Sequence, residues 1–107
     1  MNIQIVFTTC ATSEEARRLA KECINRRLAA CIQRVPNIES TYWWNGKVVS
    51  SEEHLLLIKT TVEKEGDLIE FLKNSHSYEV PEVVSFEAVS KNKEYSSWLL
   101  KTLLEKE

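Results

Sequence analysis

Glycine and proline are nearly absent: Gly46, Gly66, Pro36 and Pro81 are the only four. That scarcity excludes low-complexity, collagen-like and loop-dominated chains and leaves mostly regular structure. No phosphate-binding loop, G-x-G-x-x-G or G-x-S-x-G run occurs, so the sequence offers no nucleotide fold or hydrolase elbow. Asp67 is the only aspartate, and His54 and His76 are the only histidines. A Ser-His-acid triad would need distant glutamates, and no nucleophile–base pair is visible, so the chain does not read as an enzyme. No organic cofactor is expected. The net charge is only −2, with acidic and basic residues interspersed. This gives no electrostatic basis for nucleic acid or an anionic membrane, and the RNP1 pattern of RNA-binding sheets is missing. No apolar run approaches the roughly 20 residues that span a bilayer. The three cysteines, Cys10, Cys23 and Cys31, form no C-x-x-C pair. They read as reduced thiols of a cytoplasmic protein, with no secretory segment ahead of the strand pattern Ile3–Phe7.

What is present fits one domain over residues 1–107, of which 43% are hydrophobic. A chain this short buries too little surface to be robust alone, which favours self-association. Residues 3–10 read as a first strand. Thr12-Ser13-Glu14-Glu15 forms a capping box. The helix behind it carries an apolar stripe of Ala16, Leu19, Ala20, Cys23, Ile24 and Leu28. Its basic residues, Arg17, Arg18, Lys21, Arg26 and Arg27, are expected on a solvated face, complementing the helix C-terminus. A second strand then runs from about Ala30 to Trp44, bent at Pro36. Asn45-Gly46 marks a type I′ hairpin, because both central residues need positive φ. Lys47-Val48-Val49 returns from the turn and Leu55–Thr60 completes a third strand. A second helix is expected from Val62 to about Asn74, weakened by Gly66. Val83–Ala88 reads as a fourth strand. Asn92 caps a last helix with Tyr95, Trp98, Leu99 and Leu103 on one face. The order β-α-β-β-α-β-α is α+β: ferredoxin-like with an added C-terminal helix.

The hairpin exceeds what this fold requires. Each arm reaches roughly 45 Å if fully extended, about twice the first or fourth strand. It must project past its sheet and leave backbone groups unpaired along an edge. Tyr42, Trp43 and Trp44 sit on that projection. Aromatics are enriched at interfaces, so a neighbouring subunit is expected to cover them. The alternative is a strand that bends back over its own helices.

His76-Ser77-Tyr78-Glu79-Val80-Pro81-Glu82 is the densest polar stretch. An imidazole among carboxylates suits copper or zinc; a structured loop is the plainer reading, since a closed site needs three or four ligands. Cys10 reads either as a partly exposed thiol able to bind a soft metal or, as is more frequent for such a residue, as a small buried hydrophobe; Cys23 and Cys31 are expected to be core. Lys59 in an apolar strand either holds an anion, pairs with Glu52 or Glu53 of a neighbouring chain, or snorkels from an edge.

Together these segments resemble the CutA, or divalent-ion tolerance, family over nearly the whole chain. The resemblance is carried by Leu28-Ala29-Ala30-Cys31-Ile32-Gln33, Ser40–Lys47, Glu53, Leu57-Ile58-Lys59-Thr60, His76–Glu82, Tyr95 and Trp98-Leu99. It implies a P-II-like homotrimer with hairpins wrapping neighbours, a role in tolerance of divalent metals, copper especially, and a cleft between subunits. The matching cleft residues are Gln33, Glu53, Lys59 and Tyr78. Of three copper ligands proposed in some members, the corresponding residues here are Thr9, Ser75 and His76, and only His76 is a ligand type. The implied function is weak binding of Cu2+ or another divalent cation at an intersubunit site with His76. The alternative is a P-II-like signalling or structural trimer that takes a small anionic ligand or a protein partner of unknown identity.

Overall fold

The computed structural model describes residues 2–105, so the extreme ends of the expected domain lie outside the described residues. The elements are β1 (Asn2–Cys10), α1 (Ser13–Asn25), β2 (Cys31–Trp44), β3 (Lys47–Thr60), α2 (Val62–Ser75), β4 (Val84–Val89) and α3 (Lys93–Leu104). This is the order read from the sequence. The strands form one sheet in the order β2-β3-β1-β4, with every neighbouring pair antiparallel.

Strand alternation sorts side chains between two faces. Val6, Cys10, Leu56 and Ile58 point to α1 and α2 and are fully buried with Leu19, Cys23, Leu68 and Leu72. On the other face, α3 covers one end only, where Leu99 and Leu103 pack on Ile3 and Ala30. The rest of that face, with Phe7, Val35, Leu55, Leu57, Val84 and Phe86, is only partly buried, and Phe86 is 47% exposed. We call these the closed and open faces.

α1 begins as expected, with the Thr12 side chain accepting from the Glu15 N–H. It ends three residues before the expected Leu28. Arg27 takes φ 59°, and Leu28 N–H and Arg27 N–H bond back to the carbonyls of Cys23 and Ile24. This is a Schellman motif with arginine at the left-handed position where glycine is usual. It delivers Leu28 to the core beside Cys23 and leaves Ile24 exposed, contrary to the expected stripe. The last turn of α1 carries no basic residue, so the expected complement of the helix C-terminus is not formed. Arg26 instead lies over the Phe71 ring at 4.6 Å. Trp98, expected on the inner face of α3, is 47% exposed. Of the two readings of Cys10 the buried one holds: it is fully buried because it lies on the closed face of β1; Cys31, expected in the core, is half-buried. Gly66 sits exposed in α2 with open space where a Cβ would lie, so it weakens the helix without breaking it.

The hairpin extends; it does not fold back over its helices, and the chain measures 45 × 28 × 22 Å. Asn45 and Gly46 take φ 50° and 77°, as a type I′ turn requires. β1 pairs with β3 only between His54 and Thr60. Lys47–Glu53 therefore has β2 on one side and no strand on the other among the described residues. At that departure point, Pro36 and Asn37 of β2 oppose His54 alone, between the pairs Val35–Leu55 and Ile38–Glu53. Two residues against one make a β-bulge, where proline's missing N–H and the positive φ of Asn37 are tolerated.

Candidate functional site

The polar centre of the chain lies where β4 has not yet begun. β4 pairs with β1 no further than Phe7, so nothing on that side supplies partners for Thr8–Cys10. The loop after α2 fills the gap. His76 Nε2 contacts the Thr9 carbonyl at 2.8 Å, and His76 Nδ1 accepts from the Tyr78 N–H at 3.1 Å. A carbonyl only accepts and an N–H only donates, so these partners fix the neutral ring with its proton on Nε2. The imidazole is wholly buried, and the Tyr78 ring stacks on it at 4.9 Å.

Ser77 donates through its N–H and its hydroxyl to Glu15, at 2.6 and 2.9 Å. Glu15 is 8% exposed. It was expected to complete the capping box, but reaches the loop instead. Tyr78 Oη donates to Glu53 Oε2 at 2.7 Å, and Glu53 is 7% exposed. Burial, then this bond to Glu53, push the Tyr78 hydroxyl well above the usual tyrosine range. Three consecutive residues thus fasten the loop to β1, α1 and β3.

The four residues assigned to one cleft fall into two groups within a chain. Glu53 and Tyr78 meet beside His76. Lys59 and Gln33 lie elsewhere, since Lys59 is six residues from Glu53 along β3, roughly 20 Å. Lys59 sits directly across from Cys31 on β2 and from Ile5 on β1. Its Nζ lies over the Tyr95 ring at 5.8 Å, and it forms no ion pair among the described residues. Gln33 Nε2 donates to Cys31 Sγ at 3.4 Å. The Tyr95 hydroxyl is buried without a hydrogen-bond partner among the described residues, and burial, then the Cys31 thiol, push its titration up. At the hairpin tip, Trp43 is 73% and Trp44 62% exposed, with Tyr42 about half covered.

Sequence reasoning missed Glu15 as a loop anchor and the Cys31–Lys59–Tyr95 group. A glutamate at the third position of a helix explains itself as a cap, so its second use left no signal. The cross-strand pairing that joins Cys31 to Lys59 is a register fact, invisible before the bulge is placed.

As a cation site the loop is incomplete. Among the described residues no three histidine, cysteine or acidic side chains are grouped to hold a metal ion. The imidazole has one lone pair, and Tyr78 N–H uses it. A divalent cation at His76 would therefore need that lone pair freed and donors beyond those grouped here.

The family description "CutA1 divalent ion tolerance protein" matches residues 4–102. The chain is 43% identical over 96 residues to the divalent-cation tolerance protein CutA of Thermus thermophilus, covering 90% of this chain and 93% of that one. It is also 43% identical over 95 residues to the chloroplastic protein CutA 1 of Oryza sativa, covering 89% of this chain but spanning only 54% of that protein. The crystal structure of CutA1 from Oryza sativa superposes with a TM-score of 0.93 at 40% identity, covering 99% of this chain and 97% of that one. No helix among the described residues is long and apolar enough to cross a membrane.

Proposed function

The chain belongs to the CutA1 divalent ion tolerance family, and from that premise we propose that it is a homotrimer that binds a divalent cation such as copper weakly, beside His76, at a boundary between subunits. It works by binding and assembly, not by catalysis. Each protomer is a single domain, and its three unpaired thiols suit the cytoplasm. The observation that carries this reading is the open face. An apolar sheet surface and an unpaired hairpin on one small chain ask for sister chains, whose donors can complete what His76 begins. Weak binding follows from chemistry, because the imidazole must give up a hydrogen bond before it ligates.

Calorimetry with Cu2+ on the wild type and His76→Gln tests the cation, with circular dichroism to confirm that the variant folds. Binding heat is expected in the wild type and lost in His76→Gln; equal heat in both removes His76 from the site. Sedimentation as a lone protomer at micromolar concentration sinks the trimer.

One observation favours a second reading. Lys59 has no ion pair among the described residues and lies on an apolar face. In a P-II-like signalling or structural trimer it would hold a small anion or an acidic partner group in the cleft with Gln33. Thermal shift with inorganic phosphate discriminates: stabilisation lost in Lys59→Ala supports the anion, and an unchanged melting point in the wild type discards it.

A further inference from the structure

The three thiols of the chain differ in what surrounds them. Cys10 and Cys23 are wholly buried in the closed-side core, and burial pushes each up to about 12, so neither is set to react. Cys31 is half-buried at the start of β2, on the open face. Strand alternation puts Gln33 on that face too, and its Nε2 donates to Cys31 Sγ at 3.4 Å. Lys59 stands directly across on β3, with its Nζ over the Tyr95 ring. Tyr95 packs from α3 against Ile3, Ala30 and Leu99. Its buried hydroxyl lies near enough to feel the Cys31 thiol, second only to burial itself, yet has no hydrogen-bond partner among the described residues. An amide, an ammonium and a phenol, all donors, thus surround one reachable sulfur. A buried hydroxyl without an acceptor costs free energy, and an oxygen placed on that sulfur supplies the acceptor.

We propose that Cys31 is a site of reversible oxidation by hydroperoxides, giving a sulfenic acid whose oxygen is held by the Tyr95 hydroxyl and the Gln33 amide. The sulfur, as thiolate, attacks one peroxide oxygen, and an S–O bond forms as the O–O bond breaks. Sulfur loses two electrons and the peroxide gains them. With hydrogen peroxide, the departing hydroxide takes up the thiol proton and leaves as water. Tyr95 keeps its own proton and donates it as a hydrogen bond to the new oxygen. Gln33 Nε2, already at the sulfur, is the second donor, and Lys59 is the positive charge across the strand pair. Cys10 and Cys23 lie on the other side of the sheet, so neither reaches Cys31 to condense with it. The sulfenic acid therefore persists until two equivalents of an external thiol reduce it, leaving as a disulfide and water. This chemistry needs neither a bound cation nor a bound anion.

Native protein, in whatever assembly it forms, is treated with hydrogen peroxide, trapped with dimedone and mapped by peptide mass spectrometry. A dimedone adduct on Cys31 and none on Cys10 or Cys23 is expected. An unmodified Cys31, which a sister chain sealing it from solvent would also produce, overturns the site, and so does equal modification of all three thiols. Tyr95→Phe keeps the ring and removes only the hydroxyl; circular dichroism confirms its fold. It is expected to slow oxidation of Cys31 about tenfold, and Gln33→Ala, at an exposed position, about threefold. An unchanged rate in Tyr95→Phe overturns the proposal, and if that variant does not fold, the same criterion falls on Gln33→Ala. Iodoacetamide leaves no oxygen on sulfur and serves as the control. Its rate at Cys31 is expected to match in wild type and Tyr95→Phe. An equal slowing with both reagents means that Tyr95 merely positions the thiol, and overturns its role in holding the oxygen.

Discussion

β3 shows two fates for one pattern. Leu56 and Ile58 are fully buried under α1 and α2; Leu55 and Leu57, one step away, are only partly buried on the open face. All four are aliphatic, and nothing in their chemistry tells them apart. What differs is the cover: two helices supply it on one side, and on the other α3 reaches only the Ile3–Ala30 end. The closed face is finished within the chain, and much of the open face is left partly exposed. The strand divides along its length too, into a half paired on both sides and a half paired on one.

The largest effect should come from charging the open face. Leu57→Asp is expected to disperse the proposed trimer into folded protomers, seen as a fall in sedimentation coefficient with the circular dichroism retained. If it sediments as the wild type does, the open face is not an interface. Leu56→Ala makes the opposite change: about 2–5 kcal/mol of stability lost by chemical denaturation, with association unaltered. Trp43→Ser at the tip is expected to weaken association by about 2 kcal/mol or more, measured by dilution, because an exposed tryptophan on a projecting arm is a typical binding anchor. A tip packed on solvent alone would show no change.

The element order and the hairpin turn were legible because each had a local cause: alternation, helical spacing, Thr12, Asn92 and Asn45-Gly46. The overlong arms were legible from counting alone. The end of α1 was not, because Leu28 continues the helical period and only the backbone reversal at Arg27 shows that it has left the helix. The loop residues His76 and Tyr78 could be flagged by type, and Glu53 by the family resemblance. Their roles could not be assigned, since those depend on β4 stopping at Phe7 and leaving the Thr9 carbonyl open. The separation of Lys59 from Glu53 follows from strand rise. It was masked because the resemblance put both in one cleft.

Alkaline pH sharpens the contrast between faces. Cys10 and Cys23 lie on the closed side, where burial, aided by Glu15 and by Glu22 respectively, pushes each thiol from 9.0 to about 12. The folded chain keeps protons that the unfolded chain releases above about pH 9. Stability from these thiols is therefore whole below pH 9 and declines toward pH 12, by at most about 1.4 kcal/mol per pH unit for each. Urea midpoints at rising pH should fall, and Cys23→Ala should flatten the slope. An identical slope would mean that the closed face admits water at Cys23.

The smallest effect concerns the residue that joins the two faces. Arg27 holds a left-handed backbone at the end of α1, on the closed side, while its Nη1 donates to the Thr102 carbonyl of α3 at 3.2 Å, on the open side. Arg27→Gly relieves the backbone by about 1 kcal/mol, because only glycine adopts that conformation without a Cβ clash. It also removes a partly buried charged hydrogen bond of comparable worth. A net change under about 1 kcal/mol is expected, and Arg27→Ala separates the parts, since it loses the bond and keeps the strain. If Arg27→Gly is stabilising and Arg27→Ala neutral, α3 is held on the open face by Leu99 and Leu103 alone. If both are destabilising, the guanidinium is a tie between the finished face and the unfinished one, and loosening it should also raise hydrogen exchange in α3 before α1.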